Sequence, residues 1–372
     1  MKNNKVHKVV YFLGGGAHTL TTYRMLLESL SQHYEIFLFS EFHIADNERS
    51  KYYQIISVPR WNGNRRIREL IFGLIILKEL LKRRVDIIHT HSTYPAGLVG
   101  IIFGKIFRKP VIVSLDAAEG VGLANIQFGD LLHKNRTKVN KYVINSATIV
   151  TALTKFHKKT IITGLEINRE IKLIPRGIDC AKFKSDNSPL NEPIQFLNVG
   201  YINSIKDQIT LLKCFAIICK SIPCYLTHIG KDYTNGKMKE LCKKLKISEY
   251  VDFKGYVNYN QVPDYYRKAD VLLHTSVYES QAMVVVEAFA SNVLVCGTQV
   301  GLMSDLDEQC CITSLPGDYV GLALKVVNVL NDQEQMSQLK NNGLNWALKH
   351  NLQWTVERYQ YLYSTINNIY ND

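Results

Sequence analysis

Short apolar runs alternate with amphipathic helical stretches along both halves of this chain, and that alternation limits the folds open to it more than any other feature. In the first half VVYFL (Val9 to Leu13), EIFLFS (Glu35 to Ser40), DIIHT (Asp86 to Thr90), VIVSL (Val111 to Leu115) and TIVTAL (Thr148 to Leu153) are continuous β-branched, apolar runs. Runs of this kind belong to parallel strands buried on both faces. Helical patterns such as Thr21 to Gln32 and Ile67 to Arg84 lie between them. The second half repeats the order with QFLNVG (Gln195 to Gly200), YLTHIG (Tyr225 to Gly230), VDFKG (Val251 to Gly255), DVLLHTS (Asp270 to Ser276) and VLVCGT (Val293 to Thr298). Strand–helix alternation in both halves predicts an α/β protein of two doubly wound, parallel-sheet domains. Ligands of such folds bind at the carboxyl ends of the strands, so an interdomain cleft is the expected site.

The chain has 372 residues, more than one ordinary core absorbs, and 46% of them are hydrophobic. The polar stretch KSDNSPLNEP, Lys184 to Pro193, carries two prolines and reads as the linker between residues 1–185 and 194–350. The formal charge of +12 is uneven. Residues 1–185 hold 29 Lys+Arg against 14 Asp+Glu, a balance of +15; the rest hold 16 against 19, a balance of −3. A cationic first half attracts phosphate, whether in nucleic acid, anionic lipid or a phosphorylated substrate. No recognised nucleic-acid motif accompanies the charge, so nucleic acid is not an expected partner. The stretch from Arg60 to Arg84 is basic at both ends and apolar in the middle. It reads either as a helix lying on an anionic membrane surface or as a core helix with solvated ends.

All eight cysteines lie from Cys180 onward and none forms a C-x-x-C pair, which fits reduced thiols in the cytoplasm. The first apolar run, Val9 to Leu13, is too short for a signal peptide, and no apolar run approaches the roughly 20 residues that cross a bilayer. The expected location is cytoplasmic, with the inner face of the membrane as a candidate docking place.

The segment VLLHTSVYESQAMVVVEAFA, Val271 to Ala290, carries the most chemistry. A strand ends near Ser276 and a helix is expected to open at about Gln281. A helix start presents free backbone N–H groups and about half a positive charge, which makes an anion site. Ala282, Met283 and Val284 would supply its amides. Glu279 and Glu287 stand eight positions apart, about 12 Å if the segment is helical throughout. That exceeds the roughly 5–9.5 Å between the paired carboxylates of glycoside hydrolases. It suits a ligand with hydroxyls at both ends and a diphosphate between, which describes a nucleotide sugar. Alternatively, Glu279 is a solvated loop residue and Glu287 flanks a core helix.

The same Glu-x7-Glu segment, followed by ASNVLV (Ala290 to Val295), resembles the donor motif of glycosyltransferase family 4. The resemblance runs through nearly the whole chain: GGGAHTL (Gly14 to Leu20), VDIIHTHSTYPAG (Val85 to Gly97), LIPRGIDCAKF (Leu173 to Phe183), NVGYINSIKDQITLL (Asn198 to Leu212) and VDFKGYV (Val251 to Val257). The last helix, at about 352–372 with Trp354 and Tyr359 to Tyr363, is similar to the one that completes the first domain in that family. The resemblance implies a GT-B fold of two Rossmann-like domains and a retaining transfer from a UDP- or GDP-sugar to a polysaccharide or lipid-linked acceptor. It implies that Glu279 holds the transferred sugar, Glu287 the ribose and Lys206 the diphosphate. Gly15 and Gly16 would let the backbone approach the phosphates. Tyr256 would lie by the base.

Several positions depart from the pattern. Tyr201 stands where a second diphosphate arginine is usual, and Ser280 and Ala282 stand where glycines are common. Asp116 replaces a histidine that contacts the sugar; it is a candidate acceptor-side acid or base, or else a turn cap, and Glu119 shares that ambiguity. His89 and His91 lack a third metal ligand, so packing or strand-end hydrogen bonding is their expected role. No D-x-D motif is suitably placed, and a metal-independent reaction with no cofactor is expected. A non-catalytic assembly subunit with a decayed donor site is the alternative that these departures motivate.

Overall fold

The structure is a computed structural model, and it describes residues 8–13, 17–40, 42–45, 49–58, 63–185 and 192–371. The chain divides into two compact units. One holds the residues up to Leu153, Lys158–Ile174 and those from Leu352 on; the other holds Thr154–His157 and Pro175–Asn351.

The first unit is built on a seven-stranded, all-parallel sheet. Its strands are β1 (Lys8–Leu13), β2 (Glu35–Ser40), β3 (Gln54–Ser57), β4 (Ile87–His91), β5 (Val111–Ser114), β6 (Ile149–Ala152) and β7 (Lys172–Leu173), in the order β3-β2-β1-β4-β5-β6-β7. Its helices are α1 (Ala17–Ser31), α2 (Arg65–Lys82), α3 (Ala96–Phe107), α4 (Lys134–Ser146), most of α5 (Lys155–Leu165), and the C-terminal helix (Leu352–Asn371). Successive strand residues point to opposite faces, and both faces are covered. Val10, Phe12, Phe37, Phe39 and Ile88 meet Phe72, Ile76 and Leu80 of α2 on one face. Val9, Tyr11, Ile36, Leu38 and Ile112 meet Leu26, Leu27 and Leu30 of α1, with Tyr359, Leu362 and Tyr363 of the C-terminal helix, on the other. Burying each such aliphatic side chain contributes about 2 kcal/mol, and Leu27→Ala would open a cavity costing about 3 kcal/mol.

The second unit has a six-stranded parallel sheet of β8 (Ile194–Val199), β9 (Cys224–Ile229), β10 (Val251–Gly255), β11 (Val271–His274), β12 (Leu294–Thr298) and β13 (Ile312–Ser314), in the order β10-β9-β8-β11-β12-β13. Its helices are α6 (Gln208–Ile218), α7 (Lys237–Leu245), α8 (Val262–Arg267), α9 (Met283–Ala290), α10 (Gly301–Asp305), α11 (Tyr319–Asn331) and α12 (Gln333–Lys349). Three of them start on aspartates whose carboxylates accept a backbone N–H inside the first turn: Asp207 from Thr210 at 3.2 Å, Asp318 from Gly321 at 2.9 Å and Asp332 from Gln335 at 2.9 Å. Each cap satisfies an amide that has no partner within its helix.

The division falls after Ile174 and not in the polar stretch 184–193, of which 186–191 lie outside the described residues. Ile178 and Phe183 pack with Leu197, Tyr266 and Phe289, so the segment from Pro175 to Phe183 folds into the second unit's core. At Gly177 a Cβ would collide with the backbone of His350 and Asn351, which explains why glycine stands there. Among the described residues no helix is long and apolar enough to cross a membrane.

Candidate active site

Strands β8 and β11 are neighbours in the second sheet, paired Val271 to Phe196, so the loops at their carboxyl ends emerge side by side. The loop after β8 is tied to itself. Lys206 N–H donates to Asn203 Oδ1 at 3.0 Å, Asn203 N–H to Gln208 Oε1 at 3.2 Å, and Gln208 Nε2 to Tyr201 O at 2.8 Å. It is also tied to the loop after β11: Thr275 Oγ1 donates to Lys206 O at 3.3 Å and Asp207 O at 3.0 Å, and Val277 N–H to Ile205 O at 2.8 Å. Gly230, at φ +148°, lies against the Gly200 carbonyl with no room for a Cβ, so β9 also crowds this corner.

These ties bring Lys206 and Glu279 together. The Lys206 ammonium pairs with Glu279 Oε1. Ser276 Oγ donates to the same oxygen at 2.7 Å, and His274 Nε2 stands 3.2 Å from it and 3.0 Å from Ser276 Oγ. A carboxylate only accepts, so His274 carries a proton on Nε2. Burial pushes the Glu279 carboxyl toward protonation, but Lys206 and His274 outweigh it and hold the group well below the ordinary carboxylate range. The sequence pointed to Glu279 and Lys206; it gave no signal for His274, which reads there as the end of a buried strand.

Helix α9 opens at Met283 and not at Gln281. Residues 280–282 are engaged elsewhere. Ser280 O accepts from Thr154 Oγ1 at 2.7 Å, and Gln281 O accepts from Leu302 N–H at 3.0 Å. The buried Gln281 side chain accepts from Arg176 N–H and donates to Arg176 O, both at 2.8 Å. Glu279 therefore lies outside the helix, and the 12 Å separation, which assumed helix throughout, does not apply. Gln281 is a residue that sequence reasoning missed, and its role could not be read from a position that looked like an ordinary first helical turn. Ala282 is the residue before α9, at φ +71°, followed by the amides of Met283 and Val284, which have no carbonyl partner within the helix.

Glu287 sits inside α9 with partners of its own. Its Oε2 accepts from Tyr266 OH at 3.0 Å. Burial pushes its carboxyl up to about 7 against the opposing influence of the Tyr266 and Tyr259 phenols. Tyr201 lies edge-on to Tyr233, ring centroids 5.5 Å apart. Burial and the neighbouring Tyr233 and Tyr256 phenols raise its pKa, so it stays a neutral phenol where the family pattern has a cation. Tyr256 follows β10 and is 73% exposed. Gly15 and Gly16 lie outside the described residues.

In the first unit Asp116 lies two residues past β5 and is half-buried. Glu119 is buried and accepts from Ala117 N–H at 3.2 Å. His89 and His91 belong to the packed face of β4, with His91 against Tyr23 at 3.9 Å between centroids. Among the described residues no three His, Cys, Asp or Glu side chains converge as metal ligands.

Residues 14–182 match the family described as Glycosyltransferase Family 4, and residues 181–346 match Glycosyl transferases group 1. An alpha-monoglucosyldiacylglycerol synthase of Acholeplasma laidlawii is 26% identical over 264 residues, 64% of this chain and 66% of that enzyme, just under two thirds of its length. An uncharacterized glycosyltransferase of Methanocaldococcus jannaschii is 24% identical across 83% of this chain and 85% of its own. Among solved structures, a glycosyltransferase from Rickettsia africae superposes with a TM-score of 0.78 at 16% identity, covering 98% of this chain and 99% of that one. The Anabaena protein HepE, solved in complex with UDP and glucose, superposes with a TM-score of 0.72 at 18% identity, covering 95% and 99%.

Proposed function

Because the chain belongs to glycosyltransferase family 4 and has the GT-B pair of Rossmann-like domains, we propose that it is a retaining transferase. It moves a hexose or N-acetylhexosamine from a UDP- or GDP-sugar to a saccharide acceptor, in a polysaccharide or on a lipid. The observation that carries this reading is the Glu279–Lys206 pair, fixed by loops at the carboxyl ends of adjacent strands.

Breaking the bond between the anomeric carbon and the diphosphate leaves charge on the diphosphate. Lys206 and the first amides of α9 are the groups that stabilise it. Glu279 accepts hydroxyl hydrogen bonds from the sugar. In the retaining step the acceptor oxygen bonds the anomeric carbon on the face the diphosphate leaves, and the acceptor proton passes to a departing diphosphate oxygen. Glu287 takes the ribose once Tyr266 yields it, and Tyr256 lies by the base. Asp116 is the acceptor-side candidate, tested by Asp116→Asn. The reaction is proposed to be metal-independent, which transfer retained in EDTA would support.

The acceptor class draws on two observations. The name of the Acholeplasma relative describes a lipid product. On α2, Ile67, Leu70, Leu74 and Leu81 are exposed on one stripe with Lys78 and Lys82, a face suited to an anionic bilayer at the inner face of the cytoplasmic membrane. Co-sedimentation with anionic but not neutral vesicles checks this.

The decisive experiment screens the purified protein against a panel of nucleotide sugars, reading donor hydrolysis and transfer. Lys206→Ala and Glu279→Ala should each abolish transfer; transfer unaffected by both ends the assignment. The assembly-subunit reading has Tyr201 in its favour, and it gains only if neither UDP nor GDP binds in calorimetry.

A further inference from the structure

The Glu279 carboxylate is over-supplied for a donor-free site. Three donors, the Lys206 ammonium, Ser276 Oγ and His274 Nε2, all converge on the single oxygen Oε1. They differ in access: the Lys206 side chain is 24% exposed, whereas that of His274 is 2% exposed. The outermost of the three is thus the one with a long, flexible stem and a full charge. We propose that Lys206 is exchanged on donor binding: Glu279 holds it in the free protein, the incoming diphosphate takes it, and Ser276 with His274 goes on holding Glu279. This rests on the reading of the site as a nucleotide-sugar site.

The exchange follows from charge. A diphosphate carries more negative charge than one carboxylate, so it competes well for the ammonium. Stripping a largely buried carboxylate of the Lys206 ammonium is costly unless other donors remain on it. The hydroxyl of Ser276 and the ring N–H of His274 are those donors, and both come from the same short segment as Glu279, so they do not move away with the loop that carries Lys206. Because all three bonds end on Oε1, Oε2 is left to accept a sugar hydroxyl, and the departure of Lys206 opens the way to it. Glu279 is then a competitor for Lys206 when a nucleoside diphosphate without its sugar binds.

The competition gives opposite signs to two neighbouring changes. Glu279→Gln keeps the shape and removes the competing charge, so the Kd for UDP or GDP, whichever the wild-type protein binds, should fall about 3- to 10-fold. Ser276→Ala should raise it about 3- to 10-fold, because the carboxylate is then poorly satisfied once Lys206 leaves. His274→Ala should act as Ser276→Ala does, and His274→Gln, which keeps an N–H donor, should recover part of the loss. A merely structural role would weaken binding in every variant. Glu279→Ala serves as a second charge-removing variant, and thermal melts confirm that each protein is folded. Binding to Glu279→Gln and Glu279→Ala that is unchanged or weaker overturns the exchange while leaving the donor-site reading in place. Failure of the wild-type protein to bind either nucleotide overturns both.

Discussion

Each unit buries a polar cluster on its sheet, and the two clusters differ in charge. In the first unit His89 Nδ1 meets Tyr363 OH at 2.7 Å and Nε2 meets Ser114 Oγ at 2.8 Å. Ser114 Oγ also meets Tyr359 OH at 3.1 Å and accepts from Thr151 Oγ1 at 2.8 Å, and Tyr11 OH bonds to Tyr363 OH. Every member is neutral: burial drives His89 down to about 3 and the Tyr11 and Tyr363 phenols far up. In the second unit Glu279 and Lys206 are both charged and both partly open to solvent. A sealed, neutral network can only pin the C-terminal helix to the sheet. A charged cluster at the surface, with more donors than it needs, can give one up to a ligand.

The sharpest break of this contrast is Lys206→Ala. Removing one preorganised charge from a developing anion costs about 10³-fold in rate, so kcat/KM for transfer should fall by about that factor. Melting temperature should change less, because Ser276 and His274 go on holding the Glu279 carboxylate when Lys206 is removed. A loss of transfer under 10-fold would take Lys206 out of the reaction and leave the two clusters alike.

Glu287 gives the next largest effect, and it carries the contrast into a single residue: a carboxyl beside phenols and, among the described residues, beside no cation. Its folded-state pKa of about 7 lies above the ordinary 4.5. Between those values the unfolded chain has released the proton and the folded chain keeps it. Stability should therefore fall as pH rises from about 4.5 to about 7 and level off above, by roughly 3 kcal/mol at most. Glu287→Gln should abolish that slope and melt higher than the wild type at pH 8. Denaturant titrations at pH 5 and pH 8 read it directly, and parallel slopes for the two proteins would show that Glu287 ionises normally.

Tyr363→Phe probes the neutral cluster. It removes a hydroxyl that serves both His89 and Tyr11, and leaving buried groups without a partner costs about 2 kcal/mol. The melting temperature should drop by several degrees while kcat/KM at permissive temperature stays near wild type, the reverse of Lys206→Ala. A loss of transfer with the melt unchanged would contradict the division into a pinning cluster and a working one.

How much of this was legible in the sequence follows the same physics. All ten runs are strands; nine are internal to a sheet and largely apolar because both faces are covered, whereas VDFKG forms the half-exposed edge strand β10. The three strands that no run announced, β3, β7 and β13, are all at sheet edges and span two to four residues. A short strand covered on one side does not impose a long apolar run. Glu279 and Lys206 were singled out through the resemblance to a family motif, and the structure pairs the two side chains. His274 and Gln281 were not: one looks like strand, the other like helix, and only the path of the chain turns their polar atoms toward Glu279 and Arg176. The units divide before the polar stretch because Ile178 and Phe183, which precede it, are buried in the second core, and that burial depends on partners such as Phe289, over a hundred residues on.

The smallest predicted effect concerns the two residues standing where glycines are common. Ser280 does not have a positive φ, whereas Ala282 does, at +71° with ψ +85°. The methyl group at that backbone costs about 1–2 kcal/mol. Ala282→Gly removes that strain, but it loosens the unfolded chain by about 0.4–1 kcal/mol and withdraws a buried methyl worth about 0.8 kcal/mol, since Ala282 packs with Val285 and Val286. The contributions nearly cancel, so the change in unfolding free energy should stay within about 0.5 kcal/mol of zero. Ala282→Val has no such offset, because a β-branched side chain at positive φ adds strain that no contact returns, and it should destabilise by more than about 1 kcal/mol. If instead Ala282→Gly stabilised the protein by 2 kcal/mol or more, the methyl would be contributing nothing to the core, and the turn into α9 would be held by the Ser280 and Gln281 hydrogen bonds alone.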